Sequence, residues 1–163
     1  MSRAVLSLGS NMGDRRAHLQ TAVGALGREV RAVSSIYRTP PWGGVVQDDF
    51  YNIVVIAEDA GVDANGWWTR CQGMETTAGR ERSVRWGPRT LDADVISVDS
   101  HGHTIVSDDP ALILPHPRAA ERAFVLLPWA ELDPTAELAG AGLIADLLEG
   151  LDISGINKVG HVH

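Results

Sequence analysis

At 163 residues, 44% apolar and 21% charged, the chain has the size and balance of one globular domain, expected to run over 1–163. A formal net charge of -7 excludes a broad nucleic-acid or acidic-membrane surface, which needs extended positive charge. No apolar run is long enough to span a bilayer, and Met1-Ser2-Arg3 does not open a basic-then-apolar leader, so a cytoplasmic protein is expected.

Arg3 to Leu8 reads as a short apolar strand broken by Gly9-Ser10-Asn11. A helix follows, with Asp14 as N-cap, Leu19, Ala22, Val23 and Leu26 on one stripe, and Gly27 near its end. Val30 to Thr39 looks extended until Pro40-Pro41 stops it, and a loop with Trp42-Gly43-Gly44 runs on to Phe50. Ile53 to Ala57 has the continuous apolar character of a central strand. The next helix starts near Val62 or Asp63, with Trp67, Cys71, Met74 and Ala78 on its buried stripe. Cys71, the single cysteine, is a small buried hydrophobe there and excludes an internal disulfide. Asp92 to Val98 forms a fourth strand, and Asp99 to His103 turns into a short returning strand around Thr104 to Val106. The order β-α-β-β-α-β predicts an α+β fold of the split βαβ or ferredoxin-like kind, with helices gathered on one face of an antiparallel sheet. Arg118 to Leu132 and Leu143 to Leu151 add short peripheral helices.

The run from Arg80 to Asp94 carries the chemistry. Four arginines, Arg80, Arg82, Arg85 and Arg89, precede Asp92 and Asp94, and Gly87-Pro88 turns the chain between them. Side chains alternate along a strand, so the two aspartates share a face while Ala93 points into the core. Paired carboxylates suit Mg²⁺, and arginine forks grip phosphate oxygens and neutralise charge in a transferring group. Standing alone, such a pair is more often a solvated or salt-bridged feature, and the adjacent arginines tip the balance to phosphate chemistry. His101 and His103 in the turn, and His161 and His163 near the end, lack further ligands and read as solvent-exposed; His18 falls on a helix surface.

Five ordered motifs extend this reading. They are Leu8-Gly9-Ser10-Asn11, Tyr37-Arg38-Thr39-Pro40-Pro41, Arg85-Trp86-Gly87-Pro88-Arg89-Thr90-Leu91-Asp92, Leu114-Pro115-His116-Pro117 and Glu121-Arg122-Ala123-Phe124. With them the chain resembles the 6-hydroxymethyl-7,8-dihydropterin pyrophosphokinases of folate biosynthesis from Leu6 to about Pro134. The resemblance implies transfer of pyrophosphate from MgATP to the pterin hydroxymethyl group with release of AMP. It implies that Asp92 and Asp94 hold two Mg²⁺ ions and that Arg80, Arg82 and Arg89 act catalytically on the triphosphate. On the same ground Gln72, Glu75, Arg85, Trp86, Val95, His116 and Arg122 belong to the ATP site. Thr39, Pro40, Trp42, Phe50, Asn52, Trp86, Asp92 and Phe124 belong to the pterin site, with Phe50 where many relatives carry tyrosine. Its partners would be these two small molecules, and the chain is expected to be a monomer. Two rivals stay open: a palm-like nucleotidyl transferase or cyclase, which would release pyrophosphate, and a ligand-binding module on the same fold, which would need no paired carboxylates.

Overall fold

The structure, a computed structural model, describes residues 1–41, 46–79 and 89–162. In chain order its elements are β1 (Ser2–Ser10), α1 (Arg15–Leu26), β2 (Val30–Val33), β3 (Ile36–Thr39), β4 (Phe50–Asp59), α2 (Ala64–Thr77), β5 (Asp92–Ser100) and β6 (His103–Thr104). The short strands β7 (Ser107–Asp109) and β8 (Leu112–Leu114) follow, then α3 (Ala123–Leu132), β9 (Glu137–Leu138), β10 (Gly142–Leu143), α4 (Ile144–Glu149) and β11 (Asn157–Gly160).

Both long helices start where an aspartate caps them. Asp14 accepts from Ala17 N at 3.0 Å, and Asp63 accepts from Gly66 N at 2.8 Å, each satisfying a first-turn N–H that lacks an intrahelical partner. Strands pair antiparallel in the order β11-β3-β4-β1-β5-β6, with β2 also on β4. Each crossover helix thus skips one strand: α1 leads from β1 past β4, and α2 leads from β4 past β1 to β5. This is the expected split βαβ plan.

The unbroken apolar run in β4 is explained by its central place, with a layer on each face. Ile53, Val55 and Ala57 pack with Leu19 and Leu26 of α1 and with Trp67, Cys71 and Met74 of α2. Val54, between them, joins Val125, Leu126 and Trp129 of α3 and Ile144 of α4. The segments expected as peripheral additions therefore build a second layer opposite α1 and α2.

Among the boundaries that differ from the sequence reading, three have a cause in the pairing or the backbone. β1 continues through Gly9 and Ser10 because β4 pairs with both, at Asn52 and Tyr51. Val30 to Thr39 is two strands, because Ser34 and Ser35 turn the chain. Ser34 donates its N–H to Val54 O and accepts Val54 N–H on its hydroxyl, both at 2.9 Å. The turn after β5 is tighter than expected, with His101 and Gly102 at φ 51° and 78°, as a two-residue primed turn demands.

Candidate active site

Register fixes the chemistry of β5. Asp92 lies opposite Gly9 and Asp94 opposite Ser7, on the sheet face covered by α3, while Ala93 belongs to the cluster under α2. Glu75 of α2, itself buried, accepts the Ala93 N–H at 2.9 Å and so pins the strand between the two aspartates. Arg89 Nη1 lies 2.9 Å from Asp92 Oδ2, and Arg122 Nη1 lies 3.8 Å from Asp94 Oδ2. The carboxylates remain 23% and 33% exposed, enough for their oxygens to meet a ligand. Among the described residues no third His, Cys, Asp or Glu joins them, so a cation here would take its other ligands from water or substrate.

Two pockets meet at Asp92. The smaller, with about 460 Å³ of open space, lies between the ends of β3 and β4 and the start of α3. Thr39 and Pro40 form one wall and Phe124 another; Phe50 and Asn52 rise from β4, and Arg89, Arg122 and Asp92 close the remaining side. Asn52 Nδ2 donates to Thr39 Oγ1 at 2.6 Å. Gly9 makes room for Asn52, since a Cβ on Gly9 would fall 2.5 Å from Asn52 Oδ1. Two aromatic rings with amide and hydroxyl groups between them suit a flat, hydrogen-bonding heterocycle.

The larger pocket, about 1130 Å³, follows the outer edge of β5. Strand β6 pairs only with Asp99 and Ser100, so the Asp92 to Val95 stretch is left to border the pocket. Trp68, Gln72 and Glu75 of α2 form one wall, and Pro110 to Ile113 of the β7–β8 hairpin form another. His116 completes it beneath Pro117. Its backbone N–H donates to Ile96 O at 2.8 Å, and its Nδ1 accepts from Arg118 N at 3.2 Å, which leaves the neutral ring's proton on Nε2. Burial, with Arg122 nearby, pushes the His116 pKa down to about 4. The ring is therefore a neutral donor at physiological pH.

The family model described as 7,8-dihydro-6-hydroxymethylpterin-pyrophosphokinase (HPPK) matches residues 5–134. The chain belongs to this family. Among curated HPPK relatives, the "2-amino-4-hydroxy-6-hydroxymethyldihydropteridine pyrophosphokinase" of Mycobacterium leprae is 51% identical over 148 residues, covering 87% of this chain and 78% of its own. The protein of the same name from Methylorubrum extorquens is 44% identical over 163 residues, 98% of this chain and 99% of its own. A solved structure titled "Crystal structure of Plasmodium falciparum HPPK-DHPS wild type" superposes with a TM-score of 0.66 at 15% identity. It covers 91% of this chain and 41% of that one, so this chain spans less than half of the solved chain, and the likeness is one of fold.

Within the HPPK frame, the smaller pocket gathers Thr39, Pro40, Phe50, Asn52, Asp92 and Phe124, the residues that the resemblance gives to the pterin, and the larger gathers Gln72, Glu75, Val95 and His116 with both aspartates. Arg89 and Arg122, expected with ATP, line the smaller pocket at the junction, each beside an aspartate. Trp42, Arg80, Arg82, Arg85 and Trp86 lie outside the described residues, as does His163. His101, His103 and His161 are exposed, and His18 is half-buried, lining a shallow cavity with Met74 and Leu91.

Sequence reasoning assigned no role to Gly9, Asn11 or Trp68. Asn11, 2% exposed, exchanges hydrogen bonds with Arg89: its N–H donates to Arg89 O at 3.0 Å, and its Oδ1 accepts Arg89 N–H at 2.8 Å. Its amide nitrogen donates to Gln47 Oε1 at 2.8 Å and to Asp48 O at 2.9 Å. Gly9 and Asn11 belong to the first of the five motifs, but the task of Gly9 depends on its pairing with Asn52, and that of Asn11 on contacts with Gln47, Asp48 and Arg89, all distant in sequence. Trp68 fell off the buried helical stripe, which is itself a signal for an exposed aromatic at a site.

Proposed function

We propose that the two pockets divide one reaction between them: the smaller takes the pterin, the larger takes ATP, and the transferred group passes beside Asp92. As a member of the HPPK family the chain is a diphosphotransferase that moves pyrophosphate from ATP to hydroxymethyldihydropterin in folate biosynthesis. The observation that carries the residue assignment is the position of Asp92, which borders both pockets. A hydroxyl attacking phosphorus needs alignment and charge neutralisation rather than a protein nucleophile.

Phe124 and Phe50 hold the heterocycle by its faces, and Asn52 with Thr39 reads its edge. Trp42 and Trp86 join that site on the family resemblance. Trp68 offers a face to the nucleotide base, with Gln72, Glu75 and Val95 around it, and His116 Nε2–H donates to a phosphate oxygen. Asp92 and Asp94 fit Mg²⁺, being two hard oxygen donors side by side with room for water and phosphate. Two such ions are proposed, and when bound they neutralise phosphate charge and lower the cost of ionising the attacking hydroxyl. Arg89 and Arg122 orient the carboxylates and face the transferred group, while Arg80, Arg82 and Arg85 supply further positive charge from the preceding segment. A cytoplasmic monomer completes the proposal, consistent with the acidic balance and with no helix among the described residues long and apolar enough to cross a membrane.

Incubation with MgATP and the reduced hydroxymethylpterin tests the reaction. AMP and pterin diphosphate are expected in equal amounts. Release of ADP or of free pyrophosphate overturns the reading, and the latter outcome favours the nucleotidyl transferase.

A further inference from the structure

The heterocycle pocket has walls from two elements that no strand pairing joins. Thr39 and Pro40 stand at the end of β3, and Phe124 stands in the first turn of α3. β3 is only four residues long and meets β4 through three registered pairs, after which Pro40-Pro41 ends regular pairing. Something must fix the distance between β3 and α3, because a flat ligand gripped between them loses contact if either shifts by a fraction of an ångström.

Glu131 ties α3 to Tyr37 of β3 and to the neighbouring Ser35 from outside the pocket. It lies seven residues after Phe124 on α3, about 10 Å along the helix at ~1.5 Å per residue. Its Oε1 accepts the Tyr37 hydroxyl at 2.6 Å, and its Oε2 accepts Ser35 N–H at 2.9 Å and the Ser35 hydroxyl at 3.3 Å. Lys158 of β11 brings its ammonium to 3.6 Å from Oε1, and only 25% of the Glu131 side chain remains exposed. Tyr37 is two residues from Thr39, hence on the same face of β3, and it lies opposite Asn52 in the register. Burial raises the Tyr37 pKa and the Glu131 contact raises it further, as expected for a hydroxyl locked as donor to a carboxylate. Burial pushes the Glu131 pKa up, but the bonds from Tyr37 and Ser35 and the Lys158 charge outweigh it, so the group stays charged. Neither Glu131, Tyr37 nor Ser35 lines the pocket.

We propose that Glu131 is a positioning residue for pterin binding, setting the gap between the β3 wall and the α3 wall by holding Tyr37 and Ser35. The inference rests on the smaller pocket being the pterin site. Glu131→Gln keeps the shape but leaves one acceptor oxygen where there were two and removes the charge that faces Lys158, so the bonds at one oxygen are lost and those at the other weakened; Tyr37→Phe removes one hydroxyl and nothing else. Each should weaken pterin binding about tenfold, measured by calorimetry with a non-hydrolysable ATP analogue present. Affinity for the Mg²⁺ complex of that analogue, measured alone, should change less than about twofold, because the larger pocket is built on β5 and α2. The double variant should be no worse than the more damaged single one, since both break the same tie.

Asn52→Ala serves as the reference. If it weakens pterin binding and Tyr37→Phe does not, the positioning role is wrong and the pocket assignment stands. If Asn52→Ala also binds normally, the pocket assignment has failed and the inference with it. Equal loss of pterin and nucleotide affinity shows a general structural role and overturns the proposal. Should Glu131→Gln fail to fold, Tyr37→Phe alone decides by the same criteria.

Discussion

At the residue scale, the aspartates, one glycine and one histidine make separate demands. Asp94 is a third exposed, so Asp94→Ala should lower turnover at least about 10³-fold and shift the melting temperature by only a few degrees. Turnover per folded molecule beside a thermal melt checks this; a collapsed melt with normal specific activity would make Asp94 structural. Gly9→Ala places a methyl 2.5 Å from Asn52 Oδ1, so Asn52 must move. Pterin affinity should drop about tenfold or more, at about 1–3 kcal/mol of stability, with nucleotide affinity preserved; titrations with each ligand separate the effects. His116 has a folded pKa of about 4 against 6.5 unfolded, so the unfolded chain binds more protons between these values. Its contribution to stability is therefore constant above pH 6.5 and is lost as pH falls from 6.5 toward 4. An NMR titration of the His116 ring in the free protein should have its midpoint near 4, and a midpoint near 6.5 would remove the neutral-donor role. The aspartates were legible because D-x-D in a strand has only one geometry. Gly9 was not, because its neighbour Asn52 is 43 residues away in sequence and adjacent only through β1–β4 pairing.

At the element scale, helices and central strands followed from period and caps. The β2–β3 corner did not, because Ser34 satisfies both backbone groups of Val54 in β4 in place of a ladder while Ser35 turns to Glu131 of α3. The β7–β8 hairpin and the edge strand β11 were also missed, being three and four residues long, too short for a periodic signal. Yet these pieces matter to the site: the hairpin walls the larger pocket, and β11 carries Lys158 to Glu131. Asn11 acts between elements, joining the residues after 42–45 to the residue after 80–88. Asn11→Ala removes three side-chain hydrogen bonds at about 1 kcal/mol each, so roughly 3 kcal/mol of local stability is expected to go. The Arg89 amide should then exchange with solvent much faster, and kcat/KM should fall for both substrates. Unchanged Arg89 exchange would show that the Asn11 side chain does not hold this junction.

At the scale of the whole molecule, both apolar clusters share one sheet, and β4 contributes side chains to each. Neither layer can be lost without exposing β4, so residues 1–163 should unfold as a single cooperative unit. Tryptophan fluorescence, with Trp67 in one cluster and Trp129 in the other, should report the same denaturation midpoint as far-UV circular dichroism; two midpoints would divide the chain into separate units. The ferredoxin-like plan was readable from element order alone, whereas the second helical layer was not, since Val125, Leu126 and Trp129 say that α3 is buried but not against which face. The place of β1 has a last consequence, for the order of folding. It is made before either partner and lies between β4 and β5, which follow it by about fifty and ninety residues. During synthesis this apolar strand waits with both edges open while its neighbours emerge, and every pairing that assembles the catalytic groups closes a long loop. Folding limited by that closure is slow for the chain's size, and the segment from Ala4 to Leu8 is the stretch most in need of protection until β4 arrives.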